Sequence, residues 1–121
     1  MFGRWAPVVA WMAVVFFFSS LSNLGRAGRV PDWVSHPIEY GVGAGLVCRA
    51  LEGGRRRALT MSTALTATLL TTAYGVTDEY HQSFVPGRTS DLADVAKDFA
   101  GAAAACVLYR AWTARAAEPS P

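Results

Sequence analysis

Residues 78–88 read Asp-Glu-Tyr-His-Gln-Ser-Phe-Val-Pro-Gly-Arg, and Asp91, Asp94 and Asp98 follow closely. In this one segment Asp78, Glu79, His81, Gln82 and Arg88 offer proton transfer, hydrogen bonding and a fixed positive charge. His36 and Glu39 form a second polar pair, spaced by three residues and therefore on one face of a helix. An imidazole titrates near neutral pH and suits general acid or base work, with Asp78 or Glu79 to orient it. Arg88 suits a phosphate or carboxylate ligand, or developing negative charge. The same residues have a structural reading, in which Arg88 pairs with Asp78, Glu79 or Asp91 and closes the end of a helix bundle. His36, Glu39, Asp78 and His81 are acceptable ligand types for a divalent ion, but their spacing matches no zinc signature, so neither a metal nor a cofactor is expected.

What positions this polar block is apolar. The chain has 121 residues, 52% of them hydrophobic and 17% charged, which describes one small domain that is more apolar than an average globular protein. Four apolar stretches, residues 5–21, 38–51, 58–78 and 92–112, hold most of that content. A membrane helix needs roughly 17 to 25 mostly apolar residues to cross about 30 Å of hydrocarbon. The stretches predict an all-α, polytopic membrane protein of four transmembrane helices in a small bundle, with its core over about residues 5–112 and a short tail over 113–121. The competing architecture is a soluble helical bundle. The threonines at 60, 63, 66, 68, 71 and 72 dilute the third stretch, yet a hydroxyl can bond the carbonyl one turn back inside a buried helix. The first stretch lacks a small-x-small cleavage site and reads as a retained signal anchor.

Local signals place the polar residues on these helices. Pro37 reads as the first residue of the second helix, which puts His36 at its cap and Glu39 at the third position, where a carboxylate gains from the helix dipole. Ser90 reads as the cap of the fourth helix, with Asp91, Asp94 and Asp98 along one face below it. Asp98 lies two turns in, where an ionisable group calls for a partner or a polar cavity. Pro86-Gly87 marks a turn that swings Arg88 back over the block. Gly41 with Gly45, and Gly101 with Ala105, are smooth faces for close helix approach, within one bundle or between two copies of a homo-oligomer. Cys48 and Cys106 read as packing residues rather than a disulfide.

Basic residues orient the chain, because cytoplasmic loops retain them. Arg4, Arg49, Arg55, Arg56, Arg57, Arg110 and Arg115 share one side of a four-span topology, against Arg26, Arg29, Arg88 and Lys97 on the other. Both termini are therefore expected in the cytoplasm and the polar block on the outer face. The net charge of +2 divides into two opposed faces, and the basic one suits anionic lipid headgroups. No interleaving of aromatic and basic residues suggests a nucleic acid.

The pattern resembles the VanZ-like family of small bacterial membrane proteins. Asp32, His36 and Tyr40 fit its Asp-x-x-x-His-x-x-x-Tyr stretch. Asp78, Glu79, Gln82, Phe84, Pro86, Gly87 and Arg88 fit Asp-Glu-x-x-Gln-x-Phe-x-Pro-Gly-Arg, and Asp94 and Gly101 fit Asp-x-x-x-Asn-x-x-Gly. Ser19 and Ser20 fit a Ser-Ser near the end of the first span. Trp33 departs from a frequent Lys, and Asp98 from a usual Asn. The resemblance implies a multi-pass protein of the bacterial cytoplasmic membrane, in a family whose namesake is associated with low-level resistance to the glycopeptide teicoplanin. Expected partners are membrane lipids and an envelope lipid, a cell-wall precursor or the glycopeptide itself. The function this favours is a noncatalytic envelope factor with an outward-facing binding site. The alternatives are a small membrane enzyme using His81 or His36, and a purely structural cluster.

Overall fold

The structure, a computed structural model, describes residues 2–22, 30–53 and 58–117. These residues form four α-helices and no strand: α1 (Phe2–Ser19), α2 (Asp32–Glu52), α3 (Met61–Gln82) and α4 (Leu92–Ala116). The all-α expectation holds. Among the described residues, α1 alone is long and apolar enough to cross a membrane, so the four-span reading is not carried by helix composition.

The helices run alternately up and down. Tyr74 donates to the Met12 carbonyl at 2.6 Å and His81 packs on Phe16, so α1 and α3 run the same way. His36 meets Asp98 near the start of α2 while Tyr109 donates to Glu52 at its end, so α2 and α4 run together in the opposite sense. α2, α3 and α4 pack mutually, and α1 leans on α2 and α3 without reaching α4.

Small residues make that packing close. Ala44, Val47, Cys48, Ala64, Ala67, Ala102 and Cys106 form the main core. The two thiols share a hydrogen bond at 3.5 Å without forming a disulfide, and both are buried in the core. At Gly101 a Cβ would fall 2.2 Å from the Pro37 carbonyl oxygen, and at Gly43 it would enter the Trp11 indole. The expected Gly41–Gly45 face is thus corrected: Gly41 faces Gly101, Gly45 faces open space, and Gly43 makes the second contact. Threonine behaves as expected, with Thr68 and Thr72 donating to the Ala64 and Thr68 carbonyls.

Two helix starts differ from the reading of the sequence. α2 begins five residues before Pro37, with Pro31 at its N-cap, so that Pro37 lies in the second turn and forfeits the bond to the Trp33 carbonyl. His36 is therefore a helical residue rather than a cap, and Glu39 closes the second turn. In α4 the cap is Asp91, not Ser90: the Asp91 carboxylate accepts the Ala93 N–H at 2.9 Å. At the far end Gly53 caps α2 with φ 70°, a left-handed conformation that suits glycine, and the Arg4 guanidinium lies over it. Arg26, Arg29, Arg55, Arg56 and Arg57, on which much of the orientation rests, lie outside the described residues.

Candidate functional site

The alternating bundle brings the end of α1, the start of α2, the end of α3 and the start of α4 to one end of the molecule. The first half of the polar block, residues 78–82, is helix rather than loop. Asp78, Glu79, His81 and Gln82 occupy the last two turns of α3, and only the stretch from Ser83 to Arg88 turns toward α4. Asp78 and Gln82 are one turn apart, so the Gln82 amide donates to Asp78 Oδ2 at 2.8 Å along a buried face. The tight turn at residues 85–88 has its expected form, with the Arg88 N–H donating to the Val85 carbonyl at 3.1 Å and Gly87 at φ 80°.

A cavity of about 270 Å³ opens at this end. Its polar lining comes from Ser19 on α1, from Asp32, Ser35, His36, Glu39 and Tyr40 on α2, from Asp78 and Gln82 on α3, and from Arg88. Val15, Phe18 and Val30 supply its apolar wall. All of these polar residues but Ser35 had a sequence signal. Ser35 had only its place between Asp32, His36 and Glu39, whose spacings of three and four share one helix face.

His36 sits at the junction of α2 and α4. Its Nδ1–H donates to Asp98 Oδ1 at 2.8 Å, its Nε2 lies 3.7 Å from Asp94 Oδ2, and its ring stacks parallel to Tyr40. Asp98 is 1% exposed, and Gly75 makes room for its second oxygen. Lys97 pairs with the outer oxygen of Asp94. Glu79 is also buried, and one of its oxygens accepts the Asp91 N–H at 2.9 Å, tying the end of α3 to the cap of α4. Among the described residues, Tyr40 Oη, Asp78 Oδ1, Glu79 Oε1 and Asp98 Oδ2 are buried without a hydrogen-bond partner. A buried polar atom without a partner costs about 1–3 kcal/mol, so this cluster calls for a donor, water or an ion to satisfy it.

Two expectations about this block are corrected. Arg88 is not paired with Asp78, Glu79 or Asp91. Its Nη2 and Nε donate to the Phe18 and Ser19 carbonyls at 3.1 and 3.4 Å, so it caps the C-terminal end of α1. This also turns one edge of the guanidinium away from any ligand. His81 does not join the cavity: it packs edge-on against Phe16, with Nε2 3.3 Å from Ser20 Oγ, because its position on α3 faces α1. The ligand set His36, Glu39, Asp78 and His81 is not assembled. His36, Glu79 and Asp94 instead bring one ligand atom each within 4.8 Å of one another.

A search of curated proteins returned no significant match, and a search of solved structures returned none either. A family model described as VanZ/LLP1 matches residues 4–113. That span covers all four helices but for their outermost residues and every residue of the cavity, so the chain belongs to the VanZ-like (VanZ/LLP1) family.

Proposed function

We propose that this chain is a multi-pass protein of the bacterial cytoplasmic membrane whose polar cavity faces outward and binds the head of a membrane amphiphile without transforming it. One observation carries the reading: an acceptor-rich cavity stands at the end of a bundle whose outside is apolar and whose buried ionisable residues gather at that same end. Leu69, Val107 and Leu108 are 64%, 67% and 70% exposed, while Asp78, Glu79, Gln82 and Asp98 are buried. In water such an apolar girdle is unfavourable at about 25 cal/mol per Å², and in hydrocarbon it is the stable arrangement. α2, α3 and α4 have 21, 22 and 25 residues, enough at about 1.5 Å per residue to cross about 30 Å. Part of their lower apolarity comes from residues turned inward, among them Thr68, Thr71, Asp78, Glu79, Gln82 and Asp98, which no lipid would meet.

The lining narrows the ligand. Asp32, Glu39 and Asp78 outnumber Arg88, whose donors are partly spent on α1. A head group carrying hydroxyl or ammonium donors fits this surface better than a bare phosphate. To test this, delipidated protein is offered phosphatidylethanolamine, phosphatidylglycerol and a lipid-linked cell-wall precursor, and retention is read by native mass spectrometry. One of the three should be retained by the wild type and lost at least tenfold by Glu39→Gln at unchanged helix content. Equal retention by both proteins, or none by the wild type, rejects the reading. The family's association with teicoplanin supplies the matching cellular readout, a change in susceptibility on deletion that Glu39→Gln fails to restore.

A second reading is favoured by His36 alone. A histidine at the cavity wall, oriented by a buried carboxylate, is the arrangement of a general acid or base. An enzyme acting on an envelope lipid would leave a changed lipid profile on deletion. An unchanged profile favours binding alone.

A further inference from the structure

We propose that His36, Glu79 and Asp94 form a binding site for a divalent transition-metal ion, of the zinc or manganese type, with Asp98 as its positioning residue. Their grouping is the first observation: one nitrogen and two carboxylate oxygens lie within 4.8 Å of each other, close enough to converge on a single ion. They come from α2, α3 and α4, so the site exists only in the folded bundle.

The contact of His36 with Asp98 is the second. Nδ1 lies 2.8 Å from Asp98 Oδ1, a carboxylate that can accept only from an N–H, so in the neutral ring Nε2 is the free ligand atom, on the side where Asp94 Oδ2 stands 3.7 Å away. A carboxylate holding the far nitrogen of a histidine is the arrangement that orients the ring and raises its basicity toward a metal. Without an ion, the buried Asp98 is held only by this histidine, and its other oxygen has no partner.

Glu79 is the third. It is 5% exposed, and although one oxygen accepts the Asp91 N–H, Oε1 is buried with no partner among the described residues. A buried carboxylate oxygen is costly unless a donor or a cation meets it. Lys97 does not fill that role, because it pairs with the oxygen of Asp94 that faces away from His36.

The donor set selects the ion. One imidazole with two carboxylates suits zinc or manganese, whereas magnesium prefers oxygen ligands and its own water. Two carboxylates neutralise a divalent charge. Three protein ligands leave a coordination position for water or for a ligand of the adjoining cavity, which shares His36.

The test uses the whole protein in detergent, stripped with a chelator and dialysed against zinc, manganese or magnesium ions, with bound metal quantified. One equivalent of zinc or manganese per chain should be retained by the wild type. Asp94→Asn, which keeps the size of a partly exposed side chain, should weaken retention at least tenfold. Asp98→Asn should weaken it by roughly 10- to 100-fold, the range for outer-shell partners. Glu39→Gln, which touches the cavity but not the ion, should leave retention unchanged, so loss of headgroup binding and loss of metal binding are read separately. Cobalt(II) absorption bands present in the wild type and changed in Asp94→Asn would report direct ligation even where a variant is less stable. A wild type that retains no zinc or manganese, or an Asp94→Asn variant that retains them with unchanged affinity and unchanged cobalt bands, overturns the proposal.

Discussion

His36 bridges two carboxylates on α4, so the cost of removing it falls on the groups left behind. Breaking a buried pair on one side costs about 3–5 kcal/mol, more than the pair contributes relative to an apolar substitute. In metal-free protein, His36→Gln and Asp98→Asn should each lower unfolding stability. The double variant should lose less than their sum, by a coupling of about 0.5–3 kcal/mol measured by denaturant unfolding in micelles. Strict additivity would mean that the 2.8 Å contact does not bind the helices. Arg88 makes a contrasting prediction, because its partners are carbonyls rather than acids. Arg88→Gln should raise amide hydrogen exchange over the last turn of α1, and Asp78→Asn should not. The Asp78–Gln82 pair was legible from its spacing of four. The role of Arg88 was not, since its partners stand 69 and 70 positions away and nothing local announces them. His81 misled for a related reason: one residue before Gln82 on a helix is a rotation of about 100°, enough to aim it at another element.

At the scale of the elements, the bundle depends on how near α2 and α4 approach. A methyl group at position 101 would meet the backbone of Pro37 at 2.2–2.7 Å, and backbone cannot rotate aside. Gly101→Ala should therefore force the two helices apart and cost about 1–3 kcal/mol, the range for overpacked cores. Gly45→Ala, pointing into open space, should be neutral or slightly stabilising. A thermal melt of both variants checks this, and equal melting temperatures would remove the close approach as a source of stability. The sequence announced four helices and their order through its apolar runs, and the small residues announced that some would touch. It did not announce which glycine of α2 mattered, because Gly41, Gly43 and Gly45 differ only in helical phase and the bundle sets that phase. The start of α2 was misplaced for a physical reason too. Pro37 suits a first turn, but Pro31 suits the cap before it equally well, and the longer helix places Asp32, Ser35, His36 and Glu39 together on the cavity wall.

For the whole molecule, an apolar outside with the buried ionisable groups gathered at one end is what a bilayer favours and water penalises. Phe17, Leu69 and Val107 stand outward, and the ionisable groups of the cavity stand within one end. The alternating helix order then puts Ser83 at the polar end and Arg115 at the opposite one, with Leu69 on the girdle between them. All three are exposed, so a single cysteine at each can be probed once Cys48→Ala and Cys106→Ala remove the native thiols. A membrane-impermeant maleimide should label Ser83→Cys in intact cells and Arg115→Cys only after permeabilisation, as expected where arginine-rich ends are retained in the cytoplasm. Leu69→Cys should resist that reagent in both conditions and react with a lipid-soluble one. The reverse pattern at 83 and 115 would turn the cavity inward, toward cytoplasmic rather than envelope ligands. Ready labelling of Leu69→Cys by the impermeant reagent would place α3 in water, and the apolar girdle would then need a protein partner in place of lipid.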